Sequence, residues 1–217
     1  MTQVPGLRPP VQERSRRSLE RILNAGADVL SERGYEGFSI AEVCQRAQIS
    51  SGALYSRFDG KDSLILGIHT HVLGRIDADA REMYQPGPQW DGLSVTQTIE
   101  LAVRLLVDHF TKHAAILGVF IIMTANDSRL RQNTAEPAQA ISGAFRDRLL
   151  AHSAEFPHPD PAAAVDAIFS LAFESLAHHV AFGGEFWNQP PHPMAEIAHL
   201  LPRLARLHLL TPPDPAA

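Results

Sequence analysis

Apolar residues recur along this chain at helical spacing and nowhere settle into the two-residue alternation of a strand. From Glu13 to Arg33 the residues Leu19, Ile22, Leu23, Ala27 and Leu30 share one face, and Gly34 follows as a C-terminal stop, which predicts a first helix. Ser39-Ile40-Ala41-Glu42 reads as a capping box, the serine accepting from the Glu42 amide while the glutamate reaches back, so a short second helix starts at Ser39 or Ile40. Ser50 stands as the next N-cap, before a third short helix from Gly52 to Phe58. From Asp62 onward Ile65, Ile68, Val72, Ile76 and Met83 form a long stripe that ends before Pro86-Gly87-Pro88.

Beyond that linker the pattern predicts helices at about 94–113, 114–125, 128–153, 160–182 and 193–209. Asp160 as N-cap, Pro161 at the first helical position and Gly183-Gly184 as the stop make the fourth of these the clearest. Pro137 and Pro202 are expected to kink or divide their helices, because proline lacks the backbone donor and clashes with the preceding turn. The prolines before Val11 and after Thr211 predict mobile ends. The expectation is an all-α chain: a mobile arm over 1–10, a three-helix head over 11–59, a helical body over 60–210 and a mobile tail over 211–217.

Composition narrows the function. The longest apolar run, Ala114 to Met123, is too short for a bilayer core that needs about 20 residues, and is expected to be a buried helix. Residues 1–12 lack the pattern of a secretory signal, so a cytoplasmic location is expected. Cys44 is the single cysteine, which rules out an intramolecular disulfide and is expected as a small buried core residue. The formal net charge is -5, yet residues 1–62 carry nine Arg and Lys against eight Asp and Glu. The asymmetry has the sign a nucleic-acid partner requires, and becomes useful if folding gathers Arg14, Arg16, Arg17, Arg57 and Lys61 on one face, with Arg8 in the arm as a further candidate.

The chemistry sits between Ser39 and Lys61. In a helix-turn-helix a first short helix braces a second, whose N-terminal residues enter the major groove. Val43, Cys44, Ala47 and Ile49 supply small packing residues, while Ser50, Ser51, Gly52 and Ala53 open the recognition helix without bulk that would block DNA. Leu54 and Phe58 should point inward, leaving Ser51, Ala53, Tyr55 and Arg57 towards the groove. The stretch FSIAEVCQRAQISSGALYSRFDGKDSL, Phe38 to Leu64, resembles the DNA-binding domain of the TetR family of regulators, above all in Ala-Leu-Tyr, two residues, Phe and then Lys three on. The resemblance is close over about the first 65 residues and elsewhere extends only to a general helical layout. It implies that Ser39, Ser51, Ala53, Tyr55, Arg57 and Lys61 contact DNA, the tyrosine and lysine on phosphates, and that the body dimerises and binds an effector. Where the family's turn carries glycine this chain has Gln48, and a left-handed non-glycine costs about 1 kcal/mol or slightly more.

An effector cavity lined by Met83, Leu105, Phe110, Phe120, Met123, Phe145 and Phe169 would suit an apolar or aromatic ligand. The stripes Val165, Ile168, Ala172, Leu176 and Val180, with Ile197, Leu200, Leu201 and Leu204, could close a four-helix interface between two subunits or pack within one. His109 and His113, four residues apart beside Asp108, lack a third metal ligand close in sequence, and the adjacent His178 and His179 diverge on a helix. No nucleophile, base and orienting group can be assembled from local motifs, so no cofactor, metal or enzymatic activity is expected. The expected function is a ligand-responsive regulator, in all a repressor, that binds palindromic operator DNA as a homodimer and is released by a small effector. The alternative is an all-helical small-molecule binder or metal-dependent enzyme without a DNA role.

Overall fold

A computed structural model describes residues 13–183 and 192–213. The arm over 1–10 with Arg8, the side chain of Arg14, Gly184 and residues 214–217 of the tail lie outside the described residues. Every regular element among the described residues is helical, with no strand.

The helix α1 spans Glu13–Arg33 and stops where Gly34 turns to φ +65°, its N–H donating to the Leu30 carbonyl at 2.9 Å. Helix α2, Ile40–Ala47, begins after an extended Ser39, but the serine hydroxyl makes no cap hydrogen bond. The expected capping box is therefore absent. Glu42 turns instead to Arg46 and Arg33, and Arg46 forks onto both carboxylate oxygens of Glu32 at 2.7 Å. Charge-assisted bonds to a guanidinium outcompete a reach back to a neutral backbone amide, and they tie α2 to α1.

Gln48 closes α2 in the left-handed region, φ 55° and ψ 49°. Its N–H bonds the Gln45 carbonyl and the Ile49 N–H bonds the Cys44 carbonyl at 3.0 Å, a complete Schellman pair without the usual glycine. Helix α3, Ser51–Tyr55, starts at Ser50, whose Oγ accepts from the Ala53 amide at 3.2 Å as expected. Helix α4, Lys61–Met83, follows. Leu23, Val29, Leu30, Phe38, Val43, Cys44, Ala47, Leu54 and Phe58 are all buried, so α1 to α3 share one core with the start of α4. Gly26 lets α4 approach α1, since a Cβ there would lie 2.3 Å from Ile68 Cδ1.

The remaining helices are α5 (Val95–Lys112), α6 (Ala114–Asn126), α7 (Ser128–Leu150), α8 (Pro161–Phe182) and α9 (Met194–Leu210). Two capping devices fix their starts: Ser94 and Gln97 form a reciprocal capping box on α5, and Asp160 accepts from the Ala163 amide ahead of Pro161 on α8. Pro137 and Pro202 lie inside α7 and α9, and neither divides its helix. Helix α6 is only partly the buried helix expected: Ile116, Phe120 and Met123 are buried while Ile122 is 45% exposed.

The chain forms two compact units. One comprises the residues up to Ile76 with Val119–Thr134; the other comprises Asp77–Gly118 with the residues from Ala135 onward. The first unit thus holds the head together with the adjoining ends of α6 and α7. There His69 of α4 is fully buried, its ring 4.6 Å from that of Phe120, with Nε2 3.4 Å from the Thr134 hydroxyl. The second unit packs α5, α8 and α9 around Ile99, Leu106, Phe145, Val165, Leu176 and Leu209. Tyr84 donates to the Ala102 carbonyl at 2.8 Å, and the Arg148 guanidinium lies 4.7 Å over the Trp90 ring. No single described helix is long and apolar enough to cross a membrane.

Two outcomes follow from this packing. Gln48→Gly relieves the left-handed strain and should raise stability by about 1 kcal/mol, read as a higher denaturant midpoint. Burial, first among the causes, depresses the His69 and His109 imidazoles from 6.5 to about 4. Both are thus neutral in the fold and charged in the unfolded chain between these values. Their contribution is present above pH 6.5 and is lost as pH falls towards 4. Denaturant midpoints should drop across that window, and His69→Leu should flatten part of the fall; an unchanged slope in that variant would exclude His69 as a cause.

Candidate nucleic-acid interface

Leu54 and Phe58 are fully buried and lie four residues apart, one turn of helix, which fixes the orientation of α3. Ser51, Gly52, Ala53 and Tyr55 are consequently on the exposed face, Tyr55 at 52%. A Cβ on Gly52 would meet only the Ser50 Oγ, at 3.9 Å, so the surface at the helix start is open. Ser39, exposed and with no cap bond to make, leaves its hydroxyl beside the first free amides of α2. That pairing of hydroxyl and helix N-terminus accepts a phosphate well.

Arg57 is half-buried, and its Nη2 donates to the Ser15 hydroxyl at 2.8 Å. The bond ties the segment just after α3 to the first turn of α1, which carries the exposed Arg16 and Arg17. Lys61 donates to the Tyr35 carbonyl at 3.2 Å, with its ammonium 4.6 Å over the Tyr35 ring and 5.7 Å from that of Phe38. The role of Tyr35 as a rest for Lys61 was not readable from the sequence, where it is one aromatic in a loop. Arg46 and Glu32 are mutually engaged, and the guanidinium holds the Glu32 carboxyl below its usual range.

The expected effector set divides between the two units. Phe110, Phe145 and Phe169 interlock with Phe173 and Tyr84 at ring separations of 5.1 to 5.9 Å, with Met83 and Leu105 half-buried against the same core. Phe120 and Met123 belong to the other unit. Met123 alone of the seven lines the groove of about 470 Å³ found in the first unit.

The expected dimerisation stripe also needs correction. Val165, Ile168, Ala172, Leu176 and Leu201 are buried in the second unit's own core, with Val180 half-buried against it, so a partner cannot reach most of them. Leu200 at 52% and Leu204 at 37% remain exposed, joined by Leu171 and Leu207, which sequence reasoning missed. His109 is buried with its ring 5.1 Å from that of His113, whose Nε2 lies 3.1 Å from Asp79. No cluster of three metal-binding side chains occurs among the described residues.

Residues 22–68 match the family profile described as bacterial regulatory proteins, tetR family. The HTH-type transcriptional regulator UidR of Escherichia coli K12 is 36% identical over 100 residues, which are 46% of this chain and 48% of that protein. The chain thus spans about half the length of the curated relatives in that comparison. A Mesorhizobium loti protein assigned to the TetR family superposes with a TM-score of 0.70 at 16% identity, over 91% of this chain and 98% of that one. Salmonella enterica GusR superposes with a TM-score of 0.62 at 16% identity, over 93% and 99%. At that identity the two superpositions establish the fold.

Tyr55→Ala and Lys61→Ala should weaken binding to every DNA sequence, and Lys61→Ala should lower the salt slope by about 1. Ser51→Ala should shift sequence preference. Ser15→Ala should reproduce part of the loss seen in Arg57→Ala, measured by fluorescence anisotropy on one duplex. Full affinity in Ser15→Ala beside a large loss in Arg57→Ala would show that the guanidinium acts on DNA alone.

Proposed function

We propose that this chain, whose residues 22–68 match the tetR family of bacterial regulatory proteins, is a cytoplasmic transcriptional regulator of that family and not an enzyme. It binds palindromic operator DNA as a homodimer, represses, and is released by a small effector. The observation that carries the reading is the exposed face of Ser51, Ala53 and Tyr55, held outward by Leu54 and Phe58 and flanked by Arg57 and Lys61. Ser51 and Ala53 meet base edges, while Ser39, Tyr55 and Lys61 meet phosphates. Division into a head over 11–59 and a body over 60–210 is part of the same proposal.

A single helix in one groove reads only a few base pairs, so two heads are needed for an operator. Leu171, Leu200, Leu204 and Leu207 on α8 and α9 supply exposed apolar surface for a second copy. Two heads fit successive major grooves when about 34–36 Å apart, and an effector that favours another spacing weakens binding by shifting the population.

Selection of genomic DNA fragments by the purified protein tests the reading. A recovered palindrome bound with roughly nanomolar, salt-dependent affinity is the expected result. Weak, salt-insensitive affinity for every fragment would refute it. Leu204→Glu should halve the mass by sedimentation and cost most of the operator affinity, whereas an unchanged dimer would move the interface elsewhere.

A further inference from the structure

The groove of about 470 Å³ in the first unit has an apolar floor made by Ile65, Leu66, Met123 and Leu130, all buried. Its walls include Tyr35 and Ile122, two of the large apolar or aromatic side chains that the fold leaves exposed. The volume suits a small organic molecule, and the exposed walls leave apolar area for it to cover.

The charges at the rim are unequal. Glu36, Asp62 and Asp127 line the groove with one guanidinium, Arg129. Arg129 is committed to Asp127, with Nε and Nη2 donating to its two oxygens at 3.2 and 2.8 Å and the backbone amide adding a third bond at 2.8 Å. Those bonds hold the Asp127 carboxyl well below the usual carboxylate range. Lys61, next to Asp62 in sequence, is likewise engaged by the Tyr35 carbonyl and ring. Asp62 shares the field of Arg129, so three carboxylates face one guanidinium and the exposed Glu36 and Asp62 leave the mouth of the apolar groove with an excess of negative charge.

We propose that this groove binds a small aromatic or aliphatic organic cation, its apolar body over Ile65, Leu66 and Met123 and its ammonium between Glu36 and Asp62. An anion would face three carboxylates against one guanidinium already bonded to Asp127, and a neutral molecule would leave Glu36 and Asp62 unused. Tyr35 forms a groove wall, and the Lys61 ammonium lies over its ring while donating to its backbone carbonyl. An occupant stacked on Tyr35 thus shifts Lys61, and so modulates the DNA affinity; this consequence rests on the proposed function, while the site itself does not.

The test uses three probes of one shape with the DNA-free full chain: 1-naphthylmethylammonium, 1-naphthylmethanol and 1-naphthoate, titrated by calorimetry. The cation should bind at least about tenfold more tightly than the other two. Ile122→Trp, a change at an exposed wall, should weaken it tenfold or more, and the pair Glu36→Gln with Asp62→Asn should bring cation and alcohol to equal affinity. Naphthoate binding as tightly as the cation, or full cation affinity in Ile122→Trp, would overturn the proposal. Operator affinity with and without saturating cation is then compared in wild type and Ile122→Trp: a change confined to wild type supports the link to Lys61, and no change in either overturns that link. A protein that binds no DNA without probe refutes the proposed function, and the DNA-free titration still decides the site.

Discussion

Burial of Leu54 and Phe58 is the contact on which the exposed face of α3 depends. A helix of five residues such as α3 has no stability of its own, because nucleation costs more than so few backbone bonds return. Two fully buried side chains, each contributing on the order of 1.5–3 kcal/mol, anchor it to the head. The Ser50 cap satisfies an end amide, and Gln48 accepts a left-handed backbone so that α2 and α3 can meet at a tight turn. Everything exposed on α3 is exposed because these residues face the other way.

The same head is sparing with its cations. Arg46 answers Glu32 and Glu42, Arg57 holds the Ser15 hydroxyl, and Lys61 rests on Tyr35. Internal partners keep these side chains ordered, which would lower the entropy lost on binding a phosphate in the proposed complex. Arg57 and Lys61 have neutral partners, so in the proposed complex their exchange for a phosphate would cost little, whereas Arg46 is held by two carboxylates.

Local signals were legible. Gly34, Ser50, Asp160 with Pro161, and the Pro-Gly-Pro linker each mark an element end by backbone chemistry that needs no tertiary contact. Tertiary competition was not legible: Glu42 abandons its capping role for Arg46, which Glu32, fourteen residues away, holds in place. Helical periodicity identifies an apolar stripe but not its partner, so the α8 stripe from Val165 to Leu176 looked equally suited to a second subunit and to its own core, where it lies. Aromatic content likewise could not say that Phe120 and Met123 join the head's unit while Phe110, Phe145 and Phe169 fill the other. The groove beside Tyr35 combines residues from three stretches of chain, and no local pattern announces it.

The central claim is that two copies of the α3 face read DNA together. Its most direct measurement compares affinity for the recovered operator duplex with affinity for the same duplex after one half-site is scrambled, at two salt concentrations. Scrambling should cost at least about a hundredfold and reduce the salt slope by about half. Equal affinity and equal slope for the two duplexes would contradict it.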